Sequence, residues 1–177
     1  KAENQTATTS GQASGELTGM KIAYVEIDTL LAQYNFCIDL NEGMVKKSEN
    51  VRLTLNQKAR ELDKQKQDFQ TKYQNNAYLS PERAQQEYNR IAKLEQDLQT
   101  LSNKLQSELM SENEKNSLQL RDSINAFLKE YNKTKGYSMI ISNTGFDNLL
   151  YADSIYNITK EIVEGLNARY SSPAPKK

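Results

Sequence analysis

From Met44 to Tyr131 the chain contains no glycine, and its one proline in that stretch is Pro81. Without breakers, nothing in the backbone stops a helix there. Apolar residues step by threes and fours: Val51, Leu55, Ala59 and Leu62, then Phe69 and Tyr73 beyond a polar Lys66. After Pro81 the stepping resumes with Ala84, Tyr88, Ile91, Leu94, Leu98, Leu101, Leu105 and Leu109. It fades over Ser111 to Ser117 and returns at Leu120, Ile124, Phe127 and Tyr131. This alternation is the seam of a coiled coil. The arms part at Asn75-Asn76-Ala77-Tyr78-Leu79-Ser80-Pro81-Glu82. Asn75-Asn76 suits a helix C-terminus, Ser80 an N-cap and Pro81 a first helical position. So short a connection between long helices implies an antiparallel hairpin.

Arm length tests that reading. At 1.5 Å per residue, Pro81 to Tyr131 spans about 75 Å, whereas Met44 to Asn76 spans about 50 Å. The arms match better if the first helix extends back through Thr29 to Asn41, which makes Gly43 a kink or short interruption.

Both flanks of the hairpin carry strand signals. Lys21-Ile22-Ala23-Tyr24-Val25-Glu26-Ile27 is β-branched and aromatic, with Gly19 before it, and reads as a buried strand. Asp28 can then cap a helix starting at Thr29. Gly136 stops the hairpin's second helix, after Lys133 and Lys135 in its last turn. Tyr137 to Ser142 reads as a second strand, Asn143 to Asn148 as a turn and Leu149 to Ala152 as a short third strand. Asp153 or Ser154 caps a final helix with Ile155, Ile158, Ile162, Val163 and Leu166 on one face. The expected class is α+β: a small β-strand body from both chain ends, with a long antiparallel helical hairpin between them. In residue ranges, 1–19 is a disordered linker, 20–43 and 132–170 form the body, 44–131 is the hairpin and 171–177 is a disordered tail. Three short strands and one helix bury little surface, so the bodies are expected to associate into a symmetric oligomer.

Composition removes whole classes of function. The 177 residues include no histidine, no tryptophan and one cysteine, Cys37. No histidine triad, histidine metal site, cysteine cluster or internal disulfide can be built from that set. No glycine-rich phosphate loop is present either, so an enzyme is disfavoured, and no catalytic residue, metal or cofactor is expected. Lysine and arginine total 23 against 23 aspartate and glutamate, and no basic patch interleaves with aromatics, so nucleic-acid binding is disfavoured. Hydrophobic residues make up 37% and mean hydropathy is −0.81, as suits a solvated elongated helix. No run approaches the 18–20 apolar residues of a membrane span. The Thr/Ser/Gly/Gln-rich start fits a tether whose leader or anchor preceded Lys1, and it fits an ordinary disordered terminus equally.

The order of these elements resembles the Skp/OmpH family of periplasmic chaperones. Lys21 to Leu31 looks like that family's first strand and first helix. Gly136 to Ser142 with Leu150-Tyr151-Ala152 looks like its second and third strands, Asp153 to Asn167 like its terminal helix, and Leu79-Ser80-Pro81-Glu82 like its hairpin tip. The resemblance covers roughly 21–167. It implies a periplasmic homotrimer in which the strands form a trimeric barrel and three hairpins enclose a cavity. Unfolded outer-membrane or envelope proteins would be held there without ATP. The body residues carrying oligomerisation would include Ile22, Tyr24, Val25, Met139, Ile140, Ile141 and Leu150. One departure concerns charge, because the best-known members are strongly basic with positive tips. Here Met44 to Leu79 holds eight Lys/Arg against four Asp/Glu, and Ser80 to Glu130 holds seven against nine. That argues against tight binding to lipopolysaccharide or acidic lipid.

Phe69, Tyr73, Tyr78 and Tyr88 cluster near the tip and are the candidates for client contact. Packing between the arms competes with that role, most strongly for Phe69 and Tyr73. The rival function is a structural or adaptor protein of an envelope transport assembly, docking end-on through a face at residues 73–83.

Overall fold

The computed structural model describes residues 19–145 and 149–171. The expected linker and tail lie almost wholly outside them, as does 146–148 of the expected turn. Strand β1 (Ile22–Glu26) leads into helix α1 (Ile27–Gln33). Helices α2 (Asn35–Gln74) and α3 (Pro81–Lys135) form the hairpin. Strand β2 (Met139–Asn143), a 3₁₀ turn (Ser154–Tyr156) and helix α4 (Thr159–Ser171) return the chain to the body. At 1.5 Å per residue, α2 is about 60 Å long and α3 about 80 Å, and α1, at about 10 Å, makes up about half of the difference.

β1 and β2 pair in parallel, with Ile22 opposite Met139 and Glu26 opposite Asn143, so each chain end supplies one strand. The expected third strand at Leu149 to Ala152 is absent. Its place beside β1 is taken by a single parallel bridge between Tyr24 and Asn157. The Ile158 N–H donates to the Tyr24 carbonyl at 3.1 Å, and the Glu26 N–H donates to Thr159 Oγ1 at 2.9 Å. Asn157 caps α4 by accepting from the Thr159 N–H at 2.9 Å. Asp153 does cap, but it caps the 3₁₀ turn, through the Ile155 N–H. Ile155 therefore stays outside the helix and 75% exposed, rather than joining Ile158, Ile162, Val163 and Leu166 in the core. The sequence period ran one turn too far because Asp153 and Asn157 are both competent caps.

Side chains from four segments meet in one core: Ala23 and Val25 of β1, Leu30 of α1, Tyr34 and Cys37 at the start of the hairpin, and Ile158, Ile162, Val163 and Leu166. Leu30, Ile162 and Leu166 are fully buried, each worth about 1.5–3 kcal/mol. Phe127 of α3 lies against Gly165 of α4, where a Cβ would come within 2.9 Å of the ring's Cε2.

The break in the first arm falls at Tyr34, not at Gly43, through which α2 runs uninterrupted. Tyr34 is extended, at φ −80° and ψ 112°, and serves as C-cap of α1 and N-cap of α2. Its side chain cannot accept from the first turn of α2, so Asn167 of α4 substitutes. Asn167 Oδ1 accepts from the Asn35 N–H at 2.8 Å, and its Nδ2 donates to the Gln33 carbonyl at 2.9 Å. Burial holds Tyr34 in place, with its hydroxyl 2.9 Å from Ser123 Oγ on α3. Gly43 has open space around it, so nothing forces the helix to bend there. The helix start moves similarly. Glu26 is the N-cap of α1 without a side-chain bond, and Asp28 lies within the first turn, where it complements the helix dipole.

The two ends of α3 are as the sequence implies. Ser80 Oγ accepts from the Arg83 N–H at 3.4 Å with Pro81 first in the helix, and Gly136 ends it at φ 68°. Asn132 then fixes the exit, accepting from the Tyr137 N–H at 2.7 Å and donating to the Tyr137 carbonyl at 2.9 Å. Along the hairpin, Lys47–Glu112 and Lys66–Glu95 pair across the arms at 3.4 and 2.6 Å. Both are exposed, so they mark register more than they add stability. The seam is thin: from the Lys47–Glu112 pair to the tip, Leu62, Ala84 and Ile91 are the buried hairpin residues.

Candidate client and assembly surfaces

Two surfaces stand out, one on the body and one at the tip. The parallel register gives β1 and β2 two unlike faces. Ala23, Val25 and Ile140 face the helical core. Ile22, Tyr24 and Ile141 line the other face, joined by Met20, Leu149, Ala152 and Tyr156 around a groove of about 200 Å³. Met139 is half exposed, and Leu150, Tyr151 and Ile155 project with 86, 85 and 75% of their surface open. The expected oligomerisation residues thus divide. Ile22, Met139, Ile141 and Leu150 are on or beside the open face, Tyr24 points to that side but is itself buried, and Val25 and Ile140 serve the protein's own core. Met20, Tyr151, Ile155 and Tyr156 also lie open there, although the sequence suggests Tyr151 for a third strand and Ile155 for the core-facing side of the final helix.

At the far end, Phe69 is the hub of the aromatic cluster. Its ring centroid lies 5.9 Å from Tyr73, 5.6 Å from Tyr78 and 6.1 Å from Tyr88. All four candidates are therefore brought together, but unequally. Phe69 and Tyr78 are half-buried, whereas Tyr73 and Tyr88 are 63 and 57% exposed. Desolvation pushes the Tyr78 hydroxyl above its ordinary pKa, with the Glu87 carboxylate adding to it. The rings are thus packed on Phe69 from one side and open on the other.

The turn holding them is well built. The Ala77 N–H donates to the Lys72 carbonyl at 2.9 Å and the Asn76 N–H to the Tyr73 carbonyl at 3.2 Å, while Asn76 takes φ 53°. This pair of bonds around a left-handed residue is the Schellman ending, with asparagine where glycine is commoner. Cys37 is buried, and burial pushes its thiol pKa up, opposite to a reactive thiolate. Among the described residues no cluster of Cys, Asp and Glu could hold a metal, and no helix is long and apolar enough to cross a membrane.

The profile of the family described as "Outer membrane protein (OmpH-like)" matches residues 21–166, the strands, hairpin and terminal helix together. The chain belongs to that family. The fold agrees. The crystal structure of an OmpH-like protein of Caulobacter crescentus CB15, named there as a candidate outer membrane chaperone, superposes with a TM-score of 0.76. It shares 12% identity over 90% of each chain. No curated protein matches the sequence. The OmpH-like architecture of a small sheet at the root of a long hairpin is thus reached with little sequence in common.

Proposed function

We propose that this OmpH-like chain is a periplasmic, ATP-independent holdase that works as a homotrimer. The observation that carries the reading is the apolar surface on and beside the β1–β2 sheet, where Met20, Met139, Leu150, Tyr151 and Ile155 stand open at the root of a long solvated hairpin. An apolar sheet face with an unpaired edge is a liability in a monomer. A three-fold arrangement of bodies covers it and sets three hairpins around a shared space. Unfolded outer-membrane proteins would be enclosed there through many weak contacts, so affinity comes from multivalency. Tyr73 and Tyr88 are the tip residues most available to a client, with Phe69 and Tyr78 supporting them. No catalytic step, metal or cofactor enters this mechanism.

The direct test is turbidity of a urea-unfolded outer-membrane β-barrel protein on dilution, with and without this chain and without nucleotide. Suppression that saturates near one client per three chains supports the proposal. Unchanged aggregation refutes it. The adaptor reading has one observation in its favour, the ordered tip with its exposed Leu79. It requires one preferred partner at residues 73–83, and equal protection of unrelated unfolded clients would exclude it.

A further inference from the structure

Leu31, Ile38 and Val45 recur every seven residues across the α1–α2 break, so they share one helix face at the root of the hairpin. With Glu42 and Lys46 beside them, they line an open groove of about 440 Å³. Ile38 and Val45 are 36 and 69% exposed, so nothing within the described residues covers the stripe. The course of α4 identifies what does. Asn167 meets α2 at Asn35, and three residues later the Tyr170 hydroxyl donates to Asp39 Oδ2 at 2.7 Å, with its ring 5.2 Å from Phe36. Helix α4 therefore travels along α2 toward the tip and releases the chain at Ser171, beside Asp39. Glu42 and Lys46 follow Asp39 at i+3 and i+7, so the release point and the groove lie along one ridge of α2. The next residues, Ser172-Pro173-Ala174-Pro175-Lys176-Lys177, lie outside the described residues. Extended at about 3.1 Å per residue they reach about 19 Å, and Val45 is only about 9 Å beyond Asp39 along α2. The ridge carries Asp39 and Glu42 against Lys46, a net negative charge opposite Lys176 and Lys177.

We propose that residues 172–177 continue from α4 as a strap over this groove, with the two prolines on Ile38 and Val45 and the lysines beside Glu42. The contact is small. Its tether, however, holds the segment at an effective concentration in the millimolar range, so weak binding is enough to populate it. The strap shields apolar surface of its own chain, so it stands or falls separately from the holdase reading.

The test uses the full chain carrying Cys37→Ser and Ala174→Cys, with either Val45→Cys or Gly43→Cys, under mild oxidation. Val45 is mostly exposed and Gly43 has open space around it, and circular dichroism checks that both variants keep their helices. Gly43 follows Phe36 and Asp39 at i+7 and i+4, on the side where α4 ends, so an undirected tail meets it first. The strap predicts the reverse: the 45–174 disulfide forms within one chain about fivefold faster than the 43–174 disulfide. Glu42→Lys should cut that advantage about threefold, as loss of an exposed ion pair does. With Ala174 restored, maleimide should label the Val45→Cys thiol about threefold faster once residues 172–177 are deleted, as for a groove covered two-thirds of the time, and the Gly43→Cys thiol equally in both. Equal disulfide rates, or a faster 43–174 product, overturn the proposal. So does a 45–174 product of doubled mass on a denaturing gel, which seats the tail of a second copy, and so does labelling at position 45 that ignores the deletion.

Discussion

Replacing Gly165 with alanine isolates the contact that ties the terminal helix to the hairpin. On an open helix face this change is favourable by about 1 kcal/mol, because alanine orders at lower entropic cost. Here the new methyl would collide with Cζ of Phe127 and come within 2.9 Å of Cε2. The ring cannot simply swing aside. It stacks on Tyr131 at 5.9 Å, and Tyr131 donates to Glu161 of α4 at 2.8 Å. Over-packing of a fixed neighbour costs about 1–3 kcal/mol, so the net expected effect is a loss of up to about 2 kcal/mol. The assay is urea unfolding followed by circular dichroism at fixed protein concentration, since assembly shifts apparent stability. A double-mutant cycle makes it decisive. With Phe127→Ala already present, Gly165→Ala should become neutral or stabilising. Equal destabilisation in both backgrounds would show that the Phe127–Gly165 contact is not what holds α4, and would refute the packing argument.

Three further outcomes follow from named contacts. Asn167→Ala removes both bonds that bridge the α1–α2 break and should cost about 1–2 kcal/mol, whereas Asn35→Ala, whose backbone N–H remains, should cost far less, both by urea midpoint. Gln65 buries an Oε1 without a partner beside a cavity of about 240 Å³ between the arms. Gln65→Leu should therefore raise the thermal midpoint, by about 1 kcal/mol of added stability, and a lower midpoint would contradict it. Glu161 accepts from Lys135 and from Tyr131, which hold its carboxyl below the ordinary 4.5. Its pKa is depressed by folding, so its contribution is present above 4.5 and lost as pH falls through the lower folded value. Glu161→Gln should flatten the acid limb of a stability–pH profile, and an unchanged limb would exclude the pairing.

The hairpin was legible because its signals are local. A 3–4 seam free of glycine, Asn76 in the left-handed position, Ser80 with Pro81, and Gly136 each act within one turn of chain. What was missed depends on partners remote in sequence. Nothing around Tyr34 marks a helix break, since its cap is supplied by Asn167, more than a hundred residues later. Gly43 drew the break by residue type alone, though helix tolerates a solvent-facing glycine. The third strand failed for a related reason. Leu149-Leu150-Tyr151-Ala152 has strand composition, but the sheet edge it would pair with is met by Asn157 instead. The apolar side chains it leaves outward fit an assembly surface better than a core. At the tip, the sequence clustered the four aromatics correctly but could not rank them. Only the position of Phe69 between the arms separates a packed hub from open rings.

Solution mass, measured by light scattering for the chain alone and then with a urea-unfolded outer-membrane β-barrel protein, tests the central claim most directly. The expected result is a mass of three chains that takes up one client into a soluble complex. Leu150→Asp, at a side chain 86% exposed beside the sheet, should reduce it to a folded single chain that no longer protects the client. A wild-type protein that is monomeric with its sheet face bare, or a trimer that leaves the client to aggregate, would contradict the account.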